Sequence, residues 1–251
     1  EAVLHDVVLG ADFSPSMHED LWEAMNRATL PFGRKGIAIM AISGVDLAVW
    51  DARAKAAGVS VARLLGADDE QLAAPIPTYS TVWNDVDAET AAGLWPVKLH
   101  VHPDGAGPDR SHVKDFVRRA REAIGPKREL MVDAWMEWDV ATTLAIAEDI
   151  APFDITFIEE PLPAWDLKGY EELSKRCPIP IAGGEHEFCV DGFAELIDRR
   201  LHQVLQPDVC WCGGLTVVQK IYQMAQTAGL RVIPHRGCEV WGLHAIAALD
   251  R

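Results

Sequence analysis

Five polar residues in the second half of the chain have types and spacing that suit metal-assisted proton transfer. Each follows a short apolar segment, and consecutive members are 23 to 27 residues apart: Asp133, Glu159, Glu185, Asp208 and His235. One strand and one crossover helix occupy about 30 residues of an eight-stranded β/α barrel of about 250 residues. The spacing therefore predicts that these residues lie at the carboxyl ends of consecutive parallel strands, which converge on one mouth of a barrel.

The three acids of this set suit a divalent cation. Asp133, Glu159 and Glu185 repel one another unless a cation joins them. Magnesium prefers oxygen ligands and keeps positions for water or substrate oxygens. The trio is therefore predicted to bind one Mg²⁺ per subunit. The alternative is that the three acids pair separately with lysines.

The last two members suit a histidine that a carboxylate orients. In such a pair the acid fixes the tautomer of the imidazole, which then acts as a general acid or base. Asp208 and His235 are predicted to form this pair. A histidine that follows a proline, as His235 follows Pro234, is also common in a purely structural role.

The segment "PVKLHV" carries two more candidates. Alternate residues of a strand share one face, so Lys98, His100 and His102 are predicted to point the same way. Lys98 is a candidate catalytic residue that supplies positive charge or moves a proton, and His100 is a candidate substrate-binding residue. The alternative is an ordinary surface face. The His100–Val–His102 pair also matches a metal-dependent hydrolase site, but that interpretation leaves the three evenly spaced acids unexplained.

The segment "PIAGGEHEF" places three polar residues directly after two glycines. Gly183 and Gly184 are expected to leave room beside Glu185. His186 is predicted to donate a hydrogen bond to bound substrate; a supporting structural role is the alternative. Trp211 is interpreted as a packing residue.

The elements that must hold these residues follow from the hydrophobic pattern. From about residue 73, short apolar runs alternate with amphipathic helical segments closed by glycine. The runs are "IPTYS", "PVKLHV", "ELMVDA", "TFIEEP", "IPIAGGE", "QVLQPD" and "RVIPH". This alternation predicts an α/β fold with a parallel sheet, specifically a modified TIM-type (β/α) barrel of seven or eight strands. No eighth candidate strand is found.

The first part of the chain is predicted to be helical. "SMHEDLWEAMNRAT" offers Ser16 as an N-cap, and "GIAIMAISGVDLAVWDARAKAAG" is a long apolar helix that ends at Gly58. The second helix is apolar on every side, which predicts that it is buried.

Composition excludes several classes of partner. The formal net charge of −15 and the pI near 4.9 argue against nucleic acid and anionic membranes, because both require a basic face. An anionic substrate therefore requires a strong local positive centre. The five cysteines lack paired C-x-x-C spacing and are expected to be reduced thiols. With neither a long apolar span nor a signal-peptide pattern in the sequence, a cytoplasmic location is expected.

These motifs resemble the enolase superfamily, specifically its mandelate racemase/muconate lactonizing branch. "AISGVDLAVWDARAKAAGVSVARLLG" is similar to the signature of that branch, and Asp133, Glu159 in "IEEP" and Glu185 in "GGE" resemble its magnesium ligands. Asp208 and His235 resemble its Asp/His dyad. The resemblance implies a partial, mainly helical capping domain in residues 1–72, a barrel in 73–251 without its last strand and C-terminal segment, and a homo-oligomer.

Within the branch, "VDAWMEWD", "GGEHE", "LQPDVCWCGGLT" and "VIPHRGCEVWGLHA" most resemble L-rhamnonate dehydratases and related acid-sugar dehydratases. This implies removal of the proton α to a carboxylate, an enediolate, and loss of the β-hydroxyl as water to give a 2-keto-3-deoxy acid. Two other outcomes stay open. One is racemisation or epimerisation with Lys98 or His100 as a second base, although the K-x-K pattern of the racemases is replaced here by Lys98–Leu99–His100. The other is a family member that binds a ligand without catalysis.

Overall fold

The chain divides into two compact units. The computed structural model describes residues 2–83, 86, 93, 96–101, 109–236 and 239–250, so His102 and Cys238 lie outside the described residues. The first unit contains Glu1–Ile76, Gly184–Ile197 and Leu205–Arg251. The second contains Pro77–Gly183 and Asp198–Val204.

Helices and strands alternate from β2 onward. In chain order, the elements of the described residues are α1 (Ala2–Val8), α2 (His18–Thr29), α3 (Ile37–Ala57), α4 (Val61–Leu64), α5 (Asp69–Ala73), β1 (Ser80–Val82), β2 (Val97–His100), α6 (Arg110–Ile124), β3 (Leu130–Asp133), α7 (Val140–Ile150), β4 (Ile155–Glu159), α8 (Leu167–Arg176), β5 (Ile181–Gly183), α9 (Cys189–Asp198), β6 (Val204–Leu205), α10 (Leu215–Ala228), β7 (Arg231–Val232) and α11 (Val240–Leu249). Over these residues, no helix combines the length and apolar character that crossing a membrane requires.

The long apolar helix α3 is confirmed. It ends at Gly58, which adopts the left-handed conformation with φ of 69° and donates its N–H to the carbonyl of Lys55. Glycine tolerates this conformation without a steric penalty. One side of the helix is buried from Ile39 to Ala54 and includes the acid Asp46. Ala41 and Ala48, on the other side, are exposed, so the prediction that the helix is buried on every side is wrong.

The predicted N-cap of α2 is wrong. The helix begins at His18, and a 3₁₀ turn, Pro15–Met17, precedes it. Proline fixes a backbone angle that suits the first position of a helix, so the turn starts one residue before Ser16 and encloses it. The Ser16 hydroxyl lies 3.3 Å from the hydroxyl of Ser14 instead of capping α2.

All seven predicted strands are found, and the described residues form one sheet with the order β1-β2-β3-β4-β5-β6-β7. The paired strands β1 to β5 of the second unit are parallel. Every residue of β2 and β3 is buried, as expected of parallel strands covered on both faces. Only β1 is displaced, and its overlap with the predicted run is Ser80; Pro77, earlier in that run, has no N–H to donate to a ladder.

The register of the sheet places the polar strand ends side by side. His100 is paired with Asp133, and Asp133 is paired with Glu159. Residues paired in this way lie at the same edge of the sheet. The second unit therefore collects at one edge the polar residues that close β2, β3 and β4.

Candidate active site

A buried lysine joins two of the predicted metal ligands in the second unit. The Nζ atom of Lys98 lies 2.6 Å from Oε2 of Glu159 and 3.2 Å from Oδ2 of Asp133. All three side chains are buried. We call Lys98, Asp133 and Glu159 the lysine–carboxylate cluster. The Lys98 ammonium group therefore lies between the two carboxylates, within reach of an oxygen of each.

The charges of this cluster depend on one another. Burial alone lowers the pKa of Lys98, but the charges of Glu159, Tyr79 and Asp133 outweigh it and raise that pKa above its ordinary value. Burial raises the pKa of Asp133, against the opposing effects of Lys98 and the N–H of Trp135. The raised pKa favours the ammonium form of Lys98, which offsets part of the negative charge of the two carboxylates beside it.

Two aromatic residues that the sequence reasoning missed border this cluster. The ring of Tyr79 lies 5.5 Å from Lys98 Nζ, and burial, together with the nearby acids, raises the pKa of its hydroxyl to about 12. The ring of Trp83 contacts that of His100 edge to face, with the ring centroids 3.7 Å apart. His100 also has its Nδ1 atom 3.9 Å from Asp133 Oδ2, so His100 and Lys98 share one strand face, as predicted.

In the first unit, Asp208 and His235 form the expected pair. Nδ1 of His235 lies 2.8 Å from Oδ2 of Asp208, and the other carboxylate oxygen accepts the N–H of Cys210 at 2.7 Å. Asp208 is almost completely buried. A backbone bridge between Asp208 and His235 fixes the same relationship. Because the buried carboxylate accepts the proton at Nδ1, Nε2 is the ring nitrogen left for chemistry.

The third predicted metal ligand faces that nitrogen. Oε2 of Glu185 lies 3.2 Å from Nε2 of His235. The adjacent His186 has its Nδ1 atom 3.6 Å from the other oxygen of Glu185, too long for a hydrogen bond. The ring of Trp211 lies 5.8 Å from His186 and 5.5 Å from His235, so it packs against both histidines.

The rest of the "GGEHE" segment has structural partners. Oε1 of Glu187 lies 2.5 Å from Nζ of Lys35, which makes a salt bridge, and accepts a hydrogen bond from the N–H of Phe188 at 2.7 Å. Within the first unit, Gly184 has φ of 124°, and a Cβ there would lie 3.0 Å from the ring of Phe193. The positive φ favours glycine at this position, and the space beside it is filled by Phe193. That Gly184 also leaves room beside Glu185 stays a prediction.

Gly183 serves a different neighbour, in the second unit. A Cβ at this position would lie 2.6 Å from Nε2 of His202 and 3.1 Å from Glu160. His202 is buried against the ring of Tyr170 at 4.6 Å. Burial lowers its pKa to about 4, with Glu160 opposing the effect. Gly183 thus makes room for a neutral, buried histidine that the sequence reasoning missed.

The donor chemistry of these residues fits magnesium. Each predicted ligand is a carboxylate in a buried position, and Asp133 and Glu159 both lie next to the Lys98 ammonium group. Hard oxygen donors of this kind are those that Mg²⁺ selects. The assignment of Asp133, Glu159 and Glu185 as its ligands stays a prediction.

Comparison with known proteins identifies the family. Residues 1–66 match the N-terminal domain of mandelate racemase/muconate lactonizing enzyme, and residues 84–250 match the enolase C-terminal domain-like model. The chain is 36% identical to an L-rhamnonate dehydratase of Saccharopolyspora erythraea, over 91% of this chain and 58% of that protein. It spans 57 to 62% of the length of the curated relatives it matches.

Solved structures agree with this result. Rhamnonate dehydratase from Gibberella zeae, complexed with Mg, has a TM-score of 0.86 and 30% identity, covering 99% of this chain and 60% of that one. L-Talarate dehydratase from Polaromonas sp. JS666, complexed with Mg and L-glucarate, has a TM-score of 0.83 and 30% identity, covering 100% of this chain and 71% of that one. The chain belongs to the mandelate racemase/muconate lactonizing enzyme family of the enolase superfamily.

Proposed function

We propose that the protein carrying this chain is a Mg²⁺-dependent acid-sugar dehydratase, a hydro-lyase that converts an L-rhamnonate-like acid to a 2-keto-3-deoxy acid. The observation that carries the proposal is the orientation of His235. Its Nδ1 atom is held by the buried Asp208, and its Nε2 atom points at Glu185. A histidine fixed in this way can remove or return a proton at a defined atom.

The residues divide the chemistry between them. His235 Nε2 takes or returns the proton, and Asp208 keeps the Nδ1 proton in place and stabilises the imidazolium that forms. Lys98, held protonated, contributes positive charge for the substrate carboxylate. His186 and His100 are proposed to bind the substrate. When bound by Asp133, Glu159 and Glu185, Mg²⁺ would stabilise the negative charge that develops as the α-proton leaves, as in enolase-superfamily sites generally.

The energetic scale supports this division. General acid or base catalysis contributes about 10²- to 10⁴-fold, whereas enzymes accelerate reactions by about 10⁶-fold or more. Electrostatic stabilisation must supply the remainder. A chain with a net charge of −15 has to concentrate positive charge locally. The Lys98 ammonium offsets part of the charge of Asp133 and Glu159, and bound Mg²⁺ would supply the rest.

The relatives support the substrate class. The similar proteins include an L-rhamnonate dehydratase and a structure complexed with Mg and L-glucarate, a polyhydroxy acid. We test the proposal by incubating the protein carrying this chain, loaded with Mg²⁺, with a panel of aldonic and aldaric acids, and by measuring semicarbazide-reactive keto acid. Glu159→Gln is the inactive control. Absence of keto acid from every acid, at saturating Mg²⁺, would contradict the proposal.

Racemisation is the second candidate, because the family includes racemases. It requires a base on each face of the substrate carbon. The Lys98 ammonium group lies between two carboxylates, which favours charge stabilisation over proton removal. Exchange of the α-proton in D₂O without keto acid formation would favour racemisation instead.

The organisation of the whole protein is also part of the proposal. The parallel order of the sheet and the family support a TIM-type barrel in residues 73–251 and a helical part of a capping domain in 1–72. A homo-oligomer and a cytoplasmic location rest on the resemblance and on the sequence pattern. Size-exclusion chromatography with light scattering tests the former.

A further inference from the structure

Three buried side chains of α2 and α3 hold the loop that leads from Asp208 to α10. We propose that Trp22, Ser43 and Asp46, the clamp residues, position the Asp208–His235 pair from a distance. The inference rests on the proposed function for its kinetic consequence. Its structural consequence can be measured without substrate. The relevant residues all belong to the first unit.

Two clamp residues hold the backbone of the same residue, Gly213, from either side of its Cα. The indole Nε1–H of Trp22 donates to the carbonyl of Gly213 at 2.8 Å, and the Ser43 hydroxyl oxygen accepts the Gly213 N–H at 2.9 Å. Trp22 and Ser43 are both buried. A buried residue whose N–H and carbonyl both have side-chain partners has little freedom to move, because breaking either bond leaves an unsatisfied polar group.

Asp46 fixes the start of α10. It is fully buried; Oδ2 accepts the N–H of Thr216 at 3.1 Å, and Oδ1 accepts the Thr216 hydroxyl at 2.5 Å. That hydroxyl in turn accepts the Nε1–H of Trp50 at 3.0 Å. A Cβ at Gly214, which has φ of 83°, would collide with the Asp46 carboxylate. The close approach of α3 to this loop therefore requires the glycine.

A second partner orients the Asp46 side chain. Nη1 of Arg53 lies 2.7 Å from Nδ1 of His18, and arginine can only donate, so Nδ1 is an acceptor. The remaining ring nitrogen, Nε2, therefore carries a proton and donates to Asp46 Oδ1 at 3.0 Å. The carboxylate thus has three donors and one conformation.

The other end of the loop is wound around Asp208. The backbone carbonyl of Asp208 accepts the N–H groups of Trp211 and Cys212 at 3.0 and 2.9 Å. Oδ1 of its side chain accepts the N–H of Cys210. The loop is therefore fixed at Asp208 and at Gly213 with few residues between. A shift of the clamped end moves the carboxylate that holds His235.

The experiment compares Ser43→Ala and Asp46→Asn with the control Thr29→Val. Thr29 is a buried residue of α2 whose hydroxyl donates to the carbonyls of Met25 and Asn26 in its own helix. Long-range ¹H–¹⁵N correlation of the histidine rings, in the protein without substrate, reports the fraction of His235 with its proton on Nδ1. We expect this tautomer to dominate in the wild type and in Thr29→Val and to fall in both clamp variants.

The second measurement is kinetic. With an acid that the wild type dehydrates, we expect the kcat of both clamp variants to fall about tenfold, the equivalent of one buried hydrogen bond, with KM within about twofold of the wild-type value.

The outcomes separate the two proposals. An unchanged His235 tautomer in both clamp variants, or an equal change in Thr29→Val, overturns the clamp. Lack of turnover by the wild type counts against the proposed function, while the ring spectra still test the clamp. If Asp46→Asn does not fold, Trp22→Phe removes a single hydrogen bond to Gly213 and takes its place.

Discussion

Lys98 donates a 2.6 Å hydrogen bond to Glu159 from inside the sheet, across the intervening strand β3. The two residues are 61 positions apart in the chain, and both are buried. The Lys98 ammonium also lies 3.2 Å from Asp133. Each of these charges is costly to bury alone, so the three groups depend on one another.

Replacement of Lys98 should therefore expose that dependence. Lys98→Met keeps an unbranched side chain one atom shorter and leaves two buried carboxylates without the ammonium group between them. We expect the free energy of unfolding in EDTA to fall by about 3 to 5 kcal/mol, the usual cost of breaking a buried pair. Addition of Mg²⁺ should restore part of the loss. Urea denaturation measures both effects. Lys175→Met, which removes an exposed pair with Glu171, is the control and should change little.

Magnesium should stabilise the folded protein through the predicted ligands. A ligand that binds only the folded state, at 100 times its Kd, stabilises it by about 2.7 kcal/mol. We expect Mg²⁺ to raise the Tm of the wild type and to have no such effect on Asp133→Asn, Glu159→Gln or Glu185→Gln. Glu172→Gln, an acid that pairs with Arg176 on the surface of α8, should respond as the wild type does. A normal response of Glu159→Gln would remove Glu159 from the ligand set.

The Asp208–His235 pair should be required for turnover. Asp208→Asn can present an amide N–H to Nδ1, which would favour the opposite tautomer of His235 and direct its proton to Nε2. We expect kcat to fall by about 10²- to 10⁴-fold, the range of general acid or base catalysis. Steady-state kinetics on the best acid of the panel measures this. Asp149→Asn, at a half-buried surface acid that pairs with Arg110, should leave kcat unchanged. Full activity of Asp208→Asn would refute the assigned role.

Much of the strand pattern was predictable, because strand position depends on local hydrophobicity. The runs that end in Asp133 and Glu159 became β3 and β4, and the register placed those acids side by side. Chain spacing also pointed to the Asp208–His235 pair, since residues at equivalent ends of successive parallel strands are neighbours.

What could not be predicted depends on contacts between distant segments. Nothing in the periodicity around Ser43 indicates that its hydroxyl meets Gly213, 170 residues later. The same holds for Gly183 and His202. The glycine was visible in the sequence, but its neighbour was not, because hydrophobic patterns report which face is buried and not which side chain it meets. The prediction that Ser16 caps α2 failed for a local reason, because Pro15 starts a turn that the capping pattern does not include.

Gly183 should be sensitive to the addition of a single methyl group. In Gly183→Ala the new Cβ would lie 2.6 Å from Nε2 of His202, inside a packed region. We expect a loss of about 1 to 3 kcal/mol in the free energy of unfolding, the usual cost of overpacking. Gly44→Ala is the matched control. Gly44 lies in α3 with open space around its Cβ position, and alanine there should be neutral or stabilising. Equal effects of the two variants in urea denaturation would mean that His202 yields freely.

His202 should make the protein sensitive to acid. Burial lowers its pKa from 6.5 to about 4 in the folded protein, so the folded state resists a proton that the unfolded state accepts. Its contribution to stability is complete above pH 6.5 and is lost as the pH falls toward 4. The loss amounts to about 3 kcal/mol by proton linkage.

His202→Gln should therefore show a smaller fall in unfolding free energy between pH 7 and pH 4.5 than the wild type. His5→Gln, which changes an exposed histidine, should keep the wild-type slope. Because other acids titrate in both proteins, the decisive quantity is the difference between the two slopes, measured by urea denaturation at each pH. A His202→Gln slope equal to that of the wild type would show that the buried imidazole takes up a proton as readily in the folded state as in the unfolded state.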